Sequence, residues 1–198
     1  TRNSTLPDSR VHRIGSGEMK NLERTYRVPN DKATRERIGP GEEYPMSGIE
    51  ARLRELGIEL PAAVPPVAAY VPVKVSGSLA FVAGQIPMRN GKMLATGRVG
   101  HDVSPEQAIE CARQCGLNAL AALRQHLGSL DRVSQIVRVG VFVACDEAFT
   151  DHPKIANGAS ELFQEVFGDA GKHARAAVGA PSLPRGAPVE VEVIAEIR

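Results

Sequence analysis

Arg175 sits among small residues in the run His173-Ala-Arg-Ala-Ala-Val-Gly-Ala180, the setting in this chain best suited to chemistry. Small neighbours leave space around a guanidinium. A guanidinium in a confined space receives a carboxylate, because its planar fork of donors matches two oxygens. A second candidate is Glu190, on a stretch where Val189, Val191, Val193 and Ala195 alternate with Glu190, Glu192 and Glu196. That period of two belongs to a strand with one buried face. A carboxylate there acts on water as a base or is simply a solvated charge, and Glu192 and Glu196 read as the second. Composition alone leaves Arg175 between an anion receptor and a solvated edge-strand arginine.

Other chemically capable residues carry less. Cys111, Cys115 and Cys145 are an odd count in apolar surroundings and read as buried free thiols of a reducing compartment. Cys111-x-x-x-Cys115 lies in a helical pattern without a second ligand pair, and the five histidines lack ligand spacing, so no metal site is expected.

The elements that must position these groups follow from pattern. Ile49 to Leu56 reads as a short amphipathic helix closed by Gly57, and Leu60-Pro-Ala-Ala-Val-Pro-Pro66 as an extended linker. Val67–Val75 and Leu79–Gly84 read as a hairpin around Ser76-Gly-Ser78, with a further short strand over Met93–Gly97. Ser104-Pro-Glu-Gln107 has the parts of a capped helix start: an N-cap serine, proline in the first turn and a glutamine to close a capping box. Apolar residues then recur at three- and four-residue spacing as far as Leu127, and Gly128 stops them. Gln135–Cys145 is an apolar strand, Pro153 opens a second long helix that Gly168 ends, and two strands close the chain. The order predicts an α+β domain, a mixed β-sheet with two helices packed on one face.

Several segments together resemble one family. Arg175-Ala-Ala-Val-Gly-Ala-Pro-Ser-Leu-Pro-Arg-Gly-Ala-Pro-Val-Glu-Val-Glu192 resembles the C-terminal signature of the Rid (YjgF) reactive-intermediate deaminases. Phe81-Val-Ala-Gly-Gln-Ile-Pro87, Gly97-Arg-Val-Gly-His-Asp-Val103 and Asn157-Gly-Ala-Ser-Glu-Leu-Phe163 fit the family's earlier motifs in order, over residues 65 to 198. The resemblance is to a divergent, longer branch of what was formerly labelled endoribonuclease L-PSP.

The resemblance implies a chorismate-mutase-like fold, a homotrimer with clefts between subunits, and cofactor-free hydrolysis of small 2-imino or enamine acids to 2-oxo acids and ammonia. It assigns Arg175 to the substrate carboxylate and Glu190 to the attacking water. It places Tyr70 as a wall of the pocket and Asn157 in the pocket across a subunit boundary. Tyr70 is equally compatible with ordinary packing, and Asn157 with a local bond to a helix turn. The best-studied branch has a serine at Ala83 and a cysteine at Ala177, so two pocket positions here carry only methyl groups. The alternative function is a carboxylate-binding or structural subunit of a larger assembly.

The 198-residue chain has 24 basic and 23 acidic residues, no tryptophan and 4% aromatics, which disfavours a nucleic-acid partner. No apolar run reaches the ~20 residues of a membrane span. Residues 1–45 read as an extension to a 46–198 domain, since their scattered Gly, Pro and Asn sustain no apolar period; a protein partner would order them. The expected location is intracellular, in the cytoplasm, or in the mitochondrial matrix after processing of a targeting segment.

Overall fold

The computed structural model describes residues 48–63 and 69–198. The expectations for residues 1–45, and for the stretch 64–68 of the linker and first strand, lie outside these. Strands β1 (Val73–Ser76), β2 (Leu79–Gln85), β5 (Val133–Ala144), β6 (Ala174–Ala180) and β7 (Val189–Ile197) form one sheet in the order β1-β2-β7-β5-β6. Every neighbouring pair is antiparallel except β5 and β6, which run parallel. A parallel pair needs a crossover, and α3 (His152–Phe167) supplies it. With α1 (Ile49–Glu55) and α2 (Pro105–Leu127) the described chain is the expected α+β arrangement.

The capping box is present in full. Ser104 Oγ accepts from Gln107 N at 3.2 Å while Ser104 N donates to Gln107 Oε1 at 3.1 Å. Gly128 ends α2 at φ 83°, a conformation glycine adopts without steric cost. The periodic residues Ala108, Cys111, Ala112, Cys115, Ala119, Leu120 and Leu123 are all buried. Small residues also let α2 and α3 approach closely: a Cβ on Gly158 would run into the backbone of Ile109.

Alternation sorts the sheet into two faces. Ala80, Val82, Val139, Val141, Val143, Val189, Val191 and Val193 are buried on the helix side. Phe81, Ala83, Arg138, Phe142, Glu190 and Glu192 occupy the alternate positions, on the side that none of the described helices covers.

Three elements differ from expectation. The first strand begins only at Val73, because Pro72 cannot donate to a ladder. The strand expected over Met93–Gly97 is instead a hairpin, β3 (Met88–Arg89) with β4 (Lys92–Met93). Its turn is Asn90-Gly91, with φ of 52° and 77°, a primed-turn pair whose signal lay in the sequence. The second long helix starts at His152, one residue before Pro153.

Candidate functional site

Arg175 lies on the edge strand β6, where pairing with Val139 turns its side chain to the helix face. The guanidinium rests on α3. Nη1 donates to Asn157 Oδ1 at 2.9 Å and to Ser160 Oγ at 3.0 Å, and Nη2 donates to the Pro153 carbonyl at 3.3 Å. All three acceptors are neutral oxygens. Among the described residues Arg175 has no carboxylate partner, and its Nε–H is not engaged. The cation is therefore oriented without being neutralised, the state in which a fork of donors receives an anion.

Sequence reasoning missed the two residues behind it. Ser160 Oγ is 3.0 Å from His173 Nε2, and His173 Nδ1 is 2.6 Å from the Gly171 carbonyl. A carbonyl only accepts, so the network assigns the proton of the neutral ring to Nδ1; Nε2 then accepts from the Ser160 hydroxyl, which itself accepts from Arg175. Burial holds the His173 pKa below its ordinary value against the opposing Gly171 bond, and the charge of Arg175 pushes it the same way as burial. A cavity of about 530 Å³ opens here, lined by Asn157, Ser160, Lys172, His173 and Arg175 among others. Asn157 and Arg175 thus belong to one cluster within one chain.

Glu190 sits elsewhere. On β7 it pairs with Phe142, which places it on the face away from the described helices. It is half-buried beside Gly84, where a Cβ would collide with the Glu190 carboxylate. Gly84 belongs to a bulge in β2, between Val82 and Gln85, that brings the backbone onto this carboxylate. Burial raises the Glu190 pKa, and Glu192 raises it further. Glu192, expected to be solvated, is paired with Arg138 at 2.7 Å, and Glu196 accepts from Gln135 at 2.6 Å. Ala83 lines a neighbouring groove of about 400 Å³ with Val71, Lys74, Phe81, Glu192 and Ile194. Tyr70 is 46% exposed just before Val71. Ala177 faces the helices two residues beyond Arg175 and packs on the core.

The candidate residues therefore form two groups on opposite faces of one sheet: Arg175, Asn157 and Ala177 on the helix face, Ala83 and Glu190 on the other. The three cysteines are free and buried as expected. Among the described residues no group of three His, Cys, Asp or Glu is placed to hold a metal ion, and no helix is long and apolar enough to cross a membrane.

Residues 50–197 match the family described as "YjgF/chorismate_mutase-like, putative endoribonuclease". Protein TCP17 of Trypanosoma cruzi is 41% identical over 75% of this chain and 94% of its own length. The 2-iminobutanoate/2-iminopropanoate deaminase of Dermatophagoides farinae is 30% identical over 71% of this chain and 94% of its own. A crystal structure of Atu1372 from Agrobacterium tumefaciens, of unknown function, superposes with a TM-score of 0.70 at 44% identity, over 76% of this chain and 92% of that one. The match over residues 50–197, together with a mixed sheet carrying its helices on one face, makes this chain a member of the YjgF (Rid) family with the chorismate-mutase-like fold.

Proposed function

We propose that this protein hydrolyses small 2-imino or enamine acids to 2-oxo acids and ammonia, in clefts that each combine Arg175 of one copy with Glu190 of another. Arg175 carries the reading: it is an oriented, uncompensated guanidinium on the sheet edge, held by Asn157, Ser160 and Pro153 with its Nε–H open. It clamps the substrate carboxylate and aims the adjacent C=N carbon. Glu190, with its raised proton affinity, takes a proton from water as the oxygen attacks that carbon. The carbinolamine formed collapses to the C=O of the oxo acid, and nitrogen leaves as ammonia with the proton returned. Substrate and water supply every atom of the products. The relative from Dermatophagoides farinae, whose name is that of such a deaminase, supports the substrate class.

The cleft is composite because one chain holds the two groups on opposite sheet faces with β5 between them. A homotrimer closes three such clefts and covers Phe81 and Val137, which are exposed in the single chain. The test is ammonia and oxo-acid release from freshly generated 2-iminopropionate and 2-iminobutyrate, with the expected result a rate above buffer.

Ala83 and Ala177 favour a second reading. They leave methyl groups where a hydroxyl and a thiol would assist water. In that reading the cleft binds a 2-oxo acid without turning over the imine, as a binding subunit. Binding of 2-oxo acids with no release above buffer selects it.

A further inference from the structure

We propose that Cys145 and His152 form a second reactive site, a thiol held against an imidazole base in its own cavity, whose ligands are small uncharged electrophiles that it takes up covalently. Cys145 follows the last residue of β5, and His152 is the first residue of α3. Their Sγ and Nε2 atoms are 3.3 Å apart. The histidine ring stands edge-on to Phe149, with centroids 5.5 Å apart. The cavity, about 390 Å³, is lined by these three residues with Gly179, Ala180 and Pro181.

Two independent features maintain the pair. Gly179, on β6, faces it, and a Cβ there would lie 2.9 Å from His152 Nε2 and 3.2 Å from Cys145 Sγ. Only glycine leaves that space. Arg98 Nη2 donates to the Cys145 carbonyl at 2.8 Å and pairs with Asp146 at 2.6 Å, which pins the backbone under the thiol.

The chemistry follows from this setting. Burial raises the Cys145 pKa against the smaller opposing pull of Arg98, so the resting group is a neutral thiol. Its S–H donates to His152 Nε2. When sulfur attacks an electrophilic carbon, the proton passes to the imidazole, so no free thiolate has to stand in an apolar site. The new bond is S–C; the leaving group departs with the carbon's bonding pair, and the imidazolium returns its proton to water. The charge of Arg98 is met by Asp146, and Glu147 adds another negative charge at the cavity. An anionic reagent is therefore disfavoured against a neutral one.

Cys111 and Cys115 are built-in controls. Both are buried in α2 with no imidazole contact among the described residues, the first with its pKa raised to about 11 by burial, the second with its pKa also raised by burial. The test is a time course of iodoacetamide labelling of the native full chain, resolved cysteine by cysteine by mass spectrometry. The expected result is labelling of Cys145 at least about tenfold faster than Cys111 and Cys115. His152→Ala should slow Cys145 about tenfold or more, with the thermal melt retained. Gly179→Ala should slow it similarly, because the histidine side chain moves aside for the methyl group. Iodoacetate should be slower than iodoacetamide by more than their ratio on free glutathione. Equal labelling of the three cysteines would overturn the proposal. So would a Cys145 rate that either variant leaves unchanged or increases, since the imidazole would then only cover the thiol. None of these readouts involves Arg175 or imine turnover.

Discussion

Arg175 and Glu190 leave opposite faces of the same sheet. Arg175 is in register with Val139 and turns to the helices, whereas Glu190 is in register with Phe142 and turns away. Two groups so placed in one chain cannot hold the two ends of one small acid. A cleft that uses both draws them from different copies.

The clamp is tested at Arg175. Arg175→Ala should abolish 2-oxo acid binding in calorimetry, and Arg175→Lys should weaken it strongly, since an ammonium is a point charge without the fork. A lost charge-assisted pair costs about 2 kcal/mol or more. Unchanged affinity in Arg175→Ala would remove the clamp.

Glu190→Gln should lower turnover roughly tenfold to a hundredfold while leaving oxo-acid affinity nearly intact, because a group acting on water works mainly in the transition state. It should also raise the melting temperature at neutral pH. The Glu190 pKa is raised in the folded protein, so the stability tied to its protonation is complete below the ordinary carboxylate range. That contribution is lost as pH rises through the raised value. The gain from glutamine should therefore vanish in melts run in acid. A variant destabilised at neutral pH would contradict this account of the carboxylate.

Ser160 and His173 set the aim of Arg175. The His173 pKa is lowered in the folded state, so its contribution to stability is present above the ordinary histidine value and is lost as pH falls through the lowered one. Protonation also turns Nε2 into a donor facing Ser160, which reverses the bond behind Arg175. Oxo-acid affinity should weaken over the same acid range. Ser160→Ala should flatten that dependence, and NMR should find the His173 pKa higher in Arg175→Met than in the wild type. An identical His173 titration in both proteins would show that the two groups are not coupled.

Gly84→Ala should reduce turnover through Glu190. The added methyl group meets the carboxylate, which must move, while the fold survives because the displaced atoms end a side chain. Full activity in this variant would show that Glu190 tolerates displacement and does not position water.

Local physics made much of this legible in the sequence. The capping box at Ser104 and Gln107, the stop at Gly128 and the alternation from Val189 to Ala195 each depend on neighbours a few residues apart, and each appears as expected. Arg175 stood out because small residues surround it in the chain. Its partners were hidden, since Ser160 and His173 meet only when the α3 crossover folds back onto β6. The opposition of Arg175 and Glu190 depends on strand order, which places β5 between β6 and β7 although neither motif includes it. Glu192 read as solvated because its partner Arg138 lies on the neighbouring strand. The Asn90-Gly91 hairpin was readable, but two-residue strands give too short an alternation to register.

Complementation tests the composite cleft most directly. Arg175→Ala and Glu190→Gln chains, each inactive or nearly so alone, are co-expressed with different tags and the mixed assembly is isolated. A cleft built from two copies is intact wherever a chain keeping Arg175 meets one keeping Glu190; every mixed trimer has one such cleft of its three, so the isolated mixed assembly should restore about a third of the wild-type imine-hydrolysis rate. A mixed assembly no more active than its two parents, beside an active wild type, would contradict the composite cleft.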